Sequence, residues 1–306
     1  MNLLVELPFD GYPDEYLLAR LQGRNNARIR DWPALLNQSR PSALATEGLW
    51  RDSLRKLAWL FQQMNRTMRR QTSPVFTLFE LRTLSLCLRH TSSQASAAVP
   101  DLLGDSLLAP QLKRILLEDE KPQETVAAAC AWLTEQHQGF AGLSAAYADE
   151  GFQGFERELF YRYLRHTLGS RHPAVIRKVL GHYVDLHNLL ALYKKLRWEL
   201  DVPCDFLAGG DIAPARLEKI EQQGRLPALN RLLGRLPGGA GLSAEGLEAA
   251  LWRQLTRELR RASRDADGTG RIVEFACWQF IQARNLRLLQ LCPDLEQDIL
   301  AAELIT

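Results

Sequence analysis

The residues best equipped for chemistry sit inside an apolar run. YVDLHNLLALYKKLRW (Tyr183–Trp198) places Asp185, His187 and Asn188 among leucines, with His182 just before it. An acid, two histidines and an amide suffice in principle for proton transfer or metal ligation. The spacing argues against a metal pair, because His182 and His187 fall about 140° apart around a helix. No H-E-x-x-H occurs, and His166 and His172 straddle a helix breaker. SRDADGTGRIVE (Ser263–Glu274) faintly resembles a calcium loop through Asp265, Asp267, Gly268 and Glu274. It lacks a first-position carboxylate, which is taken by Ser263, and has Gly270 at the usual hydrophobic position, so a Gly/Asp turn between two helices is the better reading. LAGGDIAP and LPGGAGLS are glycine-rich, but neither is a phosphate loop at a strand-to-helix junction. LEDEKPQE, from Leu117, lacks the aspartate-rich spacing that would hold magnesium and reads as a solvated helix end.

The elements that must position these residues are helical. LWRDSLRKLAWLFQQM carries Leu49, Leu54, Leu57, Leu60 and Phe61 on one stripe, and FERELFYRYLRHTL, LEAALWRQLTRELRRA and IVEFACWQFIQARNLRLLQL behave likewise. Period-2 alternation is nearly absent, so the class is all-α. Breakers are expected at TSPV (from Thr72), SRHPAV (from Ser170), LPGGAGLS (from Leu236) and DADGTG (from Asp265).

Self-comparison divides the chain into three units, 1–100, 101–200 and 201–306. Each contains a helix that starts at or near a glycine (Gly48, Gly154, Gly246), a breaker, and a second apolar helix. The second helices, FELRTLSLCLR, VDLHNLLALYK and IQARNLRLLQL, bring Thr83, Asn188 and Asn285 into register, with Glu80, Asp185 and Gln282 three places earlier. From glycine to polar residue the distances are 35, 34 and 39 residues. DLLGDSLLAPQLKRIL and FLAGGDIAPARLEKI share a Gly/Asp turn and an Ala-Pro entry into a helix, where proline has no hydrogen bond to lose. A position that recurs in each repeat is a poor candidate for catalysis, since one active site needs different residues converging. A mid-helix amide that fixes helix register is the better reading of Asn188 and Asn285.

Composition narrows the function classes. The net charge of +2 favours neither nucleic acid nor an acidic partner, although the first hundred residues hold 13 Lys+Arg against 8 Asp+Glu. RKLAWLFQQMNRTMRR, from Arg55, is basic and amphipathic; a solvated helix covering core residues accounts for it, and contact with anionic lipid or RNA is the alternative. Cys87, Cys130, Cys204, Cys277 and Cys292 are scattered without C-x-x-C spacing, as buried free thiols in a reducing compartment would be. The acidic N-terminus lacks the basic region of a secretory signal, and no run approaches the ~18 apolar residues of a membrane span. The expectation is a cytoplasmic protein able to sit on a membrane complex.

Four segments carry a resemblance. YLLARLQGRNNARIRDWPALL resembles the opening of the C/d-type central-stalk family of V/A-type rotary ATPases, which joins bacterial and archaeal members to their eukaryotic relatives. VDLHNLLALYKKLRW resembles that family's D-x-x-N-L helix, FLAGGDIAPARL its Gly-Gly turn, and ARNLRLL its C-terminal R-N-L-R segment. Thr83, in place of asparagine, and Gln282, in place of an acid, depart from the pattern. The resemblance implies a funnel of three related helical units around a pseudo-threefold axis. It implies a noncatalytic rotor part, peripheral on the cytoplasmic face, that docks the central shaft onto the membrane proteolipid ring and couples ATP turnover to proton or sodium transport. No cofactor, metal, nucleic acid or small-molecule ligand is expected. The alternatives are a free-standing helical scaffold that binds RNA or anionic membrane through its basic first third, and an all-α enzyme with Asp185, His182 and His187 in one pocket.

Overall fold

The computed structural model describes residues 3–25, 29, 32, 46–91, 98–118, 121–233, 244–264, 268–291, 300 and 303–305. Among these the molecule is all-helical. The helices are α1 (Asp14–Asn25), α2 (Thr46–Gln63), α3 (Arg66–Thr91), α4 (Val99–Asp105), α5 (Pro110–Leu117), α6 (Pro122–Gln136), α7 (Leu143–Leu168), α8 (Ala174–Trp198), α9 (Pro214–Gln223), α10 (Leu226–Leu233), α11 (Ala244–Ala262) and α12 (Thr269–Leu291). The one β-type contact among the described residues is a bridge between Leu4 and Leu108. No described helix is long and apolar enough to cross a membrane.

Two compact units make up the chain, Met1–Leu17 with Leu44–Arg171 and Leu18–Ala43 with His172–Thr306. In the first, the α2 stripe is buried as its periodicity requires: Leu54, Leu57, Leu60 and Phe61 are all enclosed, and Phe61 packs on Phe76 of α3. Each such side chain contributes about 1.5–3 kcal/mol. In the second, Leu189, Leu192 and Tyr193 of α8 form a core with Leu217 of α9, Leu229 and Leu233 of α10, and Leu247 and Leu251 of α11. Within the first unit α7 packs on α3, and within the second α11 packs on α8. In repeat terms, the first helix of one repeat packs on the second helix of the repeat before it, in both cases.

One expected breaker is absent, and a break the sequence reading did not place is present. Thr72–Val75 lies within the continuous helix α3, with Pro74 in its interior. An interior proline leaves the carbonyl four residues earlier without its donor. Here the Ser73 hydroxyl donates to the Arg70 carbonyl at 3.1 Å, which supplies the missing donor. The Pro74 carbonyl is itself taken by the buried Tyr163 hydroxyl at 2.7 Å. The actual break falls at Met64–Asn65, so the basic stretch from Arg55 is the end of one helix and the start of another. Asn65 caps α3 by accepting from the Met68 amide at 2.9 Å. The breaker at Ser170 falls between α7 and α8 as its composition dictates. The breaker LPGGAGLS, residues 236–243, and Asp265–Asp267 lie outside the described residues. Helix α7 kinks at Gly151, whose φ of 64° favours glycine, three residues before the repeat glycine Gly154.

Candidate functional site

Helix α8 is apolar along the face that meets α9 and α10, and Asp185 and Asn188 lie on that helix one turn apart, both buried. Asn188 makes a two-way clamp on a single residue of the segment that follows. Its Nδ2 donates to the Leu207 carbonyl at 2.8 Å, and its Oδ1 accepts from the Leu207 amide at 2.9 Å. Asp185 holds the same segment further on, accepting from the Asp211 amide at 2.9 Å and the Ile212 amide at 3.1 Å. Between them the chain turns through Gly209, at φ +108°, and Gly210. A Cβ on Gly210 would lie 2.1 Å from Asp185 Oδ1, so the Gly-Gly pair is what lets the backbone reach the carboxylate.

The other two repeats show variations on this arrangement. Asn285 of α12 donates to the Ile305 carbonyl at 2.8 Å and accepts from the Ile305 amide at 3.2 Å, the same two-way clamp. Glu80 of α3 accepts from the Leu107 amide and the Ser106 hydroxyl, both at 2.6 Å. Leu107 precedes Ala109-Pro110 as Asp211 precedes Ala213-Pro214, so Glu80 and Asp185 hold equivalent amides. The two residues entering the helices have nearly the same backbone, Ala109 at φ −56°, ψ 142° and Ala213 at φ −64°, ψ 134°. Thr83 does not clamp a loop; it accepts from the buried Trp50 indole of α2 at 3.2 Å. Gln282 makes no hydrogen bond to a following segment among the described residues. An amide at Asn188 and Asn285 suits a clamp on one residue because it carries both a donor and an acceptor. An acid suits Glu80 and Asp185, where every partner is a donor.

These carboxyls are not poised as free acids. Burial pushes Asp185 up to about 6, opposed by the two amides it accepts from. Burial likewise raises Glu80, opposed by Ser106 and Leu107. His182 lies against Trp252, ring centroids 5.1 Å apart. Its Nε2 is shielded from solvent without a hydrogen-bond partner, and desolvation pushes the imidazole down to about 3. His187 is half-buried on α8. His166, remote in sequence from His137, lies against it with ring centroids 3.7 Å apart and is lowered by burial and by that neighbour. Cys87 is pushed up to about 12 by burial, and Cys277 is raised for the same reason. No group of three His, Cys, Asp or Glu side chains able to hold a metal exists among the described residues. Of the calcium-like loop, Asp265 and Asp267 lie outside the described residues, and Glu274 is on α12.

Sequence reasoning brought out the helix positions and missed their partners. Leu207, Ile305 and Leu107 take part through their backbone, which carries no residue signature. The Gly-Gly and Ala-Pro turns were the available signal. No protein-family model matches the chain, and no curated protein matches it.

Proposed function

We propose that this chain is a noncatalytic central-rotor component of a V/A-type ATPase or ATP synthase, a relative of the C/d-type central-stalk family. In this reading it sits peripherally on the cytoplasmic face of the membrane and receives the central shaft. It rests on the proteolipid ring and transmits torque, so that ATP turnover stays coupled to proton or sodium movement. The three-unit body around a pseudo-threefold axis belongs to the same proposal.

The observation that carries it is the meeting of the resembling segments. VDLHNLLALYKKLRW and FLAGGDIAPARL are joined by four hydrogen bonds, two through Asp185 and two through Asn188. ARNLRLL supplies the second two-way clamp through Asn285. The residues that carry the likeness are therefore the ones that pin loops to helices. A torque element needs that stiffness: a fully satisfied buried polar contact fixes one arrangement and resists slippage. The oxygens of Asp185 are engaged by backbone amides and Asn188 is fully enclosed, which favours a structural role for both over catalysis.

The test is capture from detergent-solubilised membranes of the cell that makes the protein. The tagged chain should bring down the proteolipid and the shaft proteins in fixed proportion. Recovery of the chain free of both, under conditions where the rotary complex stays assembled, would sink the proposal.

A further inference from the structure

Where α3 begins, its side chains open onto a groove of about 690 Å³ that runs beside residues 4–8. Arg66, Arg69 and Arg70 line it, with Glu6 as the one acid among the lining residues. At positions i, i+3 and i+4 the three arginines share a helix face. Two amides at the start of the helix are already used: Asp10 accepts from the Arg66 amide at 2.6 Å, and Asn65 accepts from the Met68 amide at 2.9 Å. The arginine side chains are the charged donors that line the groove.

Arg69 makes this more than a basic surface. It is 7% exposed, and Nη2 donates to the Phe9 carbonyl and lies 3.9 Å from Asp10. Its Nε is shielded from solvent and has no hydrogen-bond partner. A buried guanidinium donor left unpaired is costly, and a turn of the Arg69 side chain toward the groove it lines would let an oxyanion there pair with it. Arg66 and Arg70 are exposed at the rim, able to close on such a group. The lining also includes Leu7, Pro8 and the buried ring of Phe61. Three guanidiniums match the several oxygens of a phosphate, and the apolar floor leaves room for the group that carries it.

We propose that this groove binds a phosphate group, supplied either by an anionic phospholipid headgroup or by a soluble phosphate compound. The site does not depend on the rotor reading and stands or falls by itself.

The full-length protein is tested with two probes. One is inorganic pyrophosphate, followed by titration calorimetry. The other is phosphatidylcholine vesicles with and without phosphatidylglycerol, followed by co-sedimentation. The paired change Arg66→Gln with Arg70→Gln removes two exposed charges without touching Arg69. Lys194→Gln with Arg197→Gln, also exposed, removes the same charge elsewhere. Binding should weaken about tenfold or more in the Arg66/Arg70 variant, the scale of one lost charge-assisted hydrogen bond, and should hold in the other. Pyrophosphate binding with that pattern identifies a soluble phosphate ligand; vesicle binding alone identifies a lipid headgroup. Equal losses in both variants would mean diffuse attraction and overturn the proposal, as would no binding to either probe.

Discussion

Replacing Asn188 by leucine, which has nearly the same shape, removes both arms of the clamp without opening a large cavity. Leu207 is 3% exposed and Asn188 is fully enclosed, so water cannot replace the lost partner. The Leu207 amide and carbonyl would each be left buried and unpaired, at about 1–3 kcal/mol apiece, or about 2–6 kcal/mol together. Against a typical domain stability of about 5–15 kcal/mol, that is a large fraction. Asn188→Asp should be at least as damaging, because it keeps the acceptor for the Leu207 amide but loses the donor and buries a charge. Urea unfolding followed by circular dichroism gives the stability change, and hydrogen exchange at the Leu207 amide shows whether the loss is local. Asn285→Leu should behave alike through Ile305. An Asn188→Leu protein within about 0.5 kcal/mol of the native chain, with the Leu207 amide still protected, would refute the clamp.

Further outcomes follow from the same contacts. His182 is held well below the ordinary histidine range, so its contribution to stability is present above about pH 6.5 and is lost as the pH falls toward about 3. Between about pH 7.5 and about pH 5 the loss from His182 is about 2 kcal/mol by linkage, less to the extent that the ring edge meets water, and in urea titrations His182→Phe should lose that much less stability than the native chain over the interval. Asp185 works in the opposite sense: its pKa is raised, so its contribution is present below about 3.8 and lost as the pH rises through about 6. Asp185→Asn should therefore remove this opposing contribution, so that between about pH 6 and about pH 4 its stability drops more steeply on acidification than the native chain's. Gly210→Ala should destabilise the native chain by forcing the backbone away from Asp185, and its thermal midpoint should drop.

How far the fold could be read from the sequence depends on which groups carry the information. The α2 stripe and the all-α class were legible because burial selects side chains with helical periodicity. Asn188 and Asn285 stood out because polar residues recurred at one repeat position inside apolar helices. Pro74 misled, because a breaker is judged locally, whereas the Ser73 hydroxyl and the Tyr163 hydroxyl 89 residues away make the proline tolerable. Conversely, Asn65 announces the true helix start by its type and offset from Met68, a cap signal weaker to the eye than a proline. The pairing of Glu80 with Leu107 and of Asp185 with Asp211 was hidden because a backbone amide looks alike under every residue. The groove at Arg66–Arg70 was visible only as a basic stretch, since its walls come from residues 4–8, about sixty positions away.

If the chain is the proposed rotor component, membranes from a strain lacking it should retain ATP hydrolysis by the soluble sector but lose ATP-driven ion transport, and the native chain should restore that transport. Transport that remains intact and coupled to hydrolysis without the chain would contradict the account.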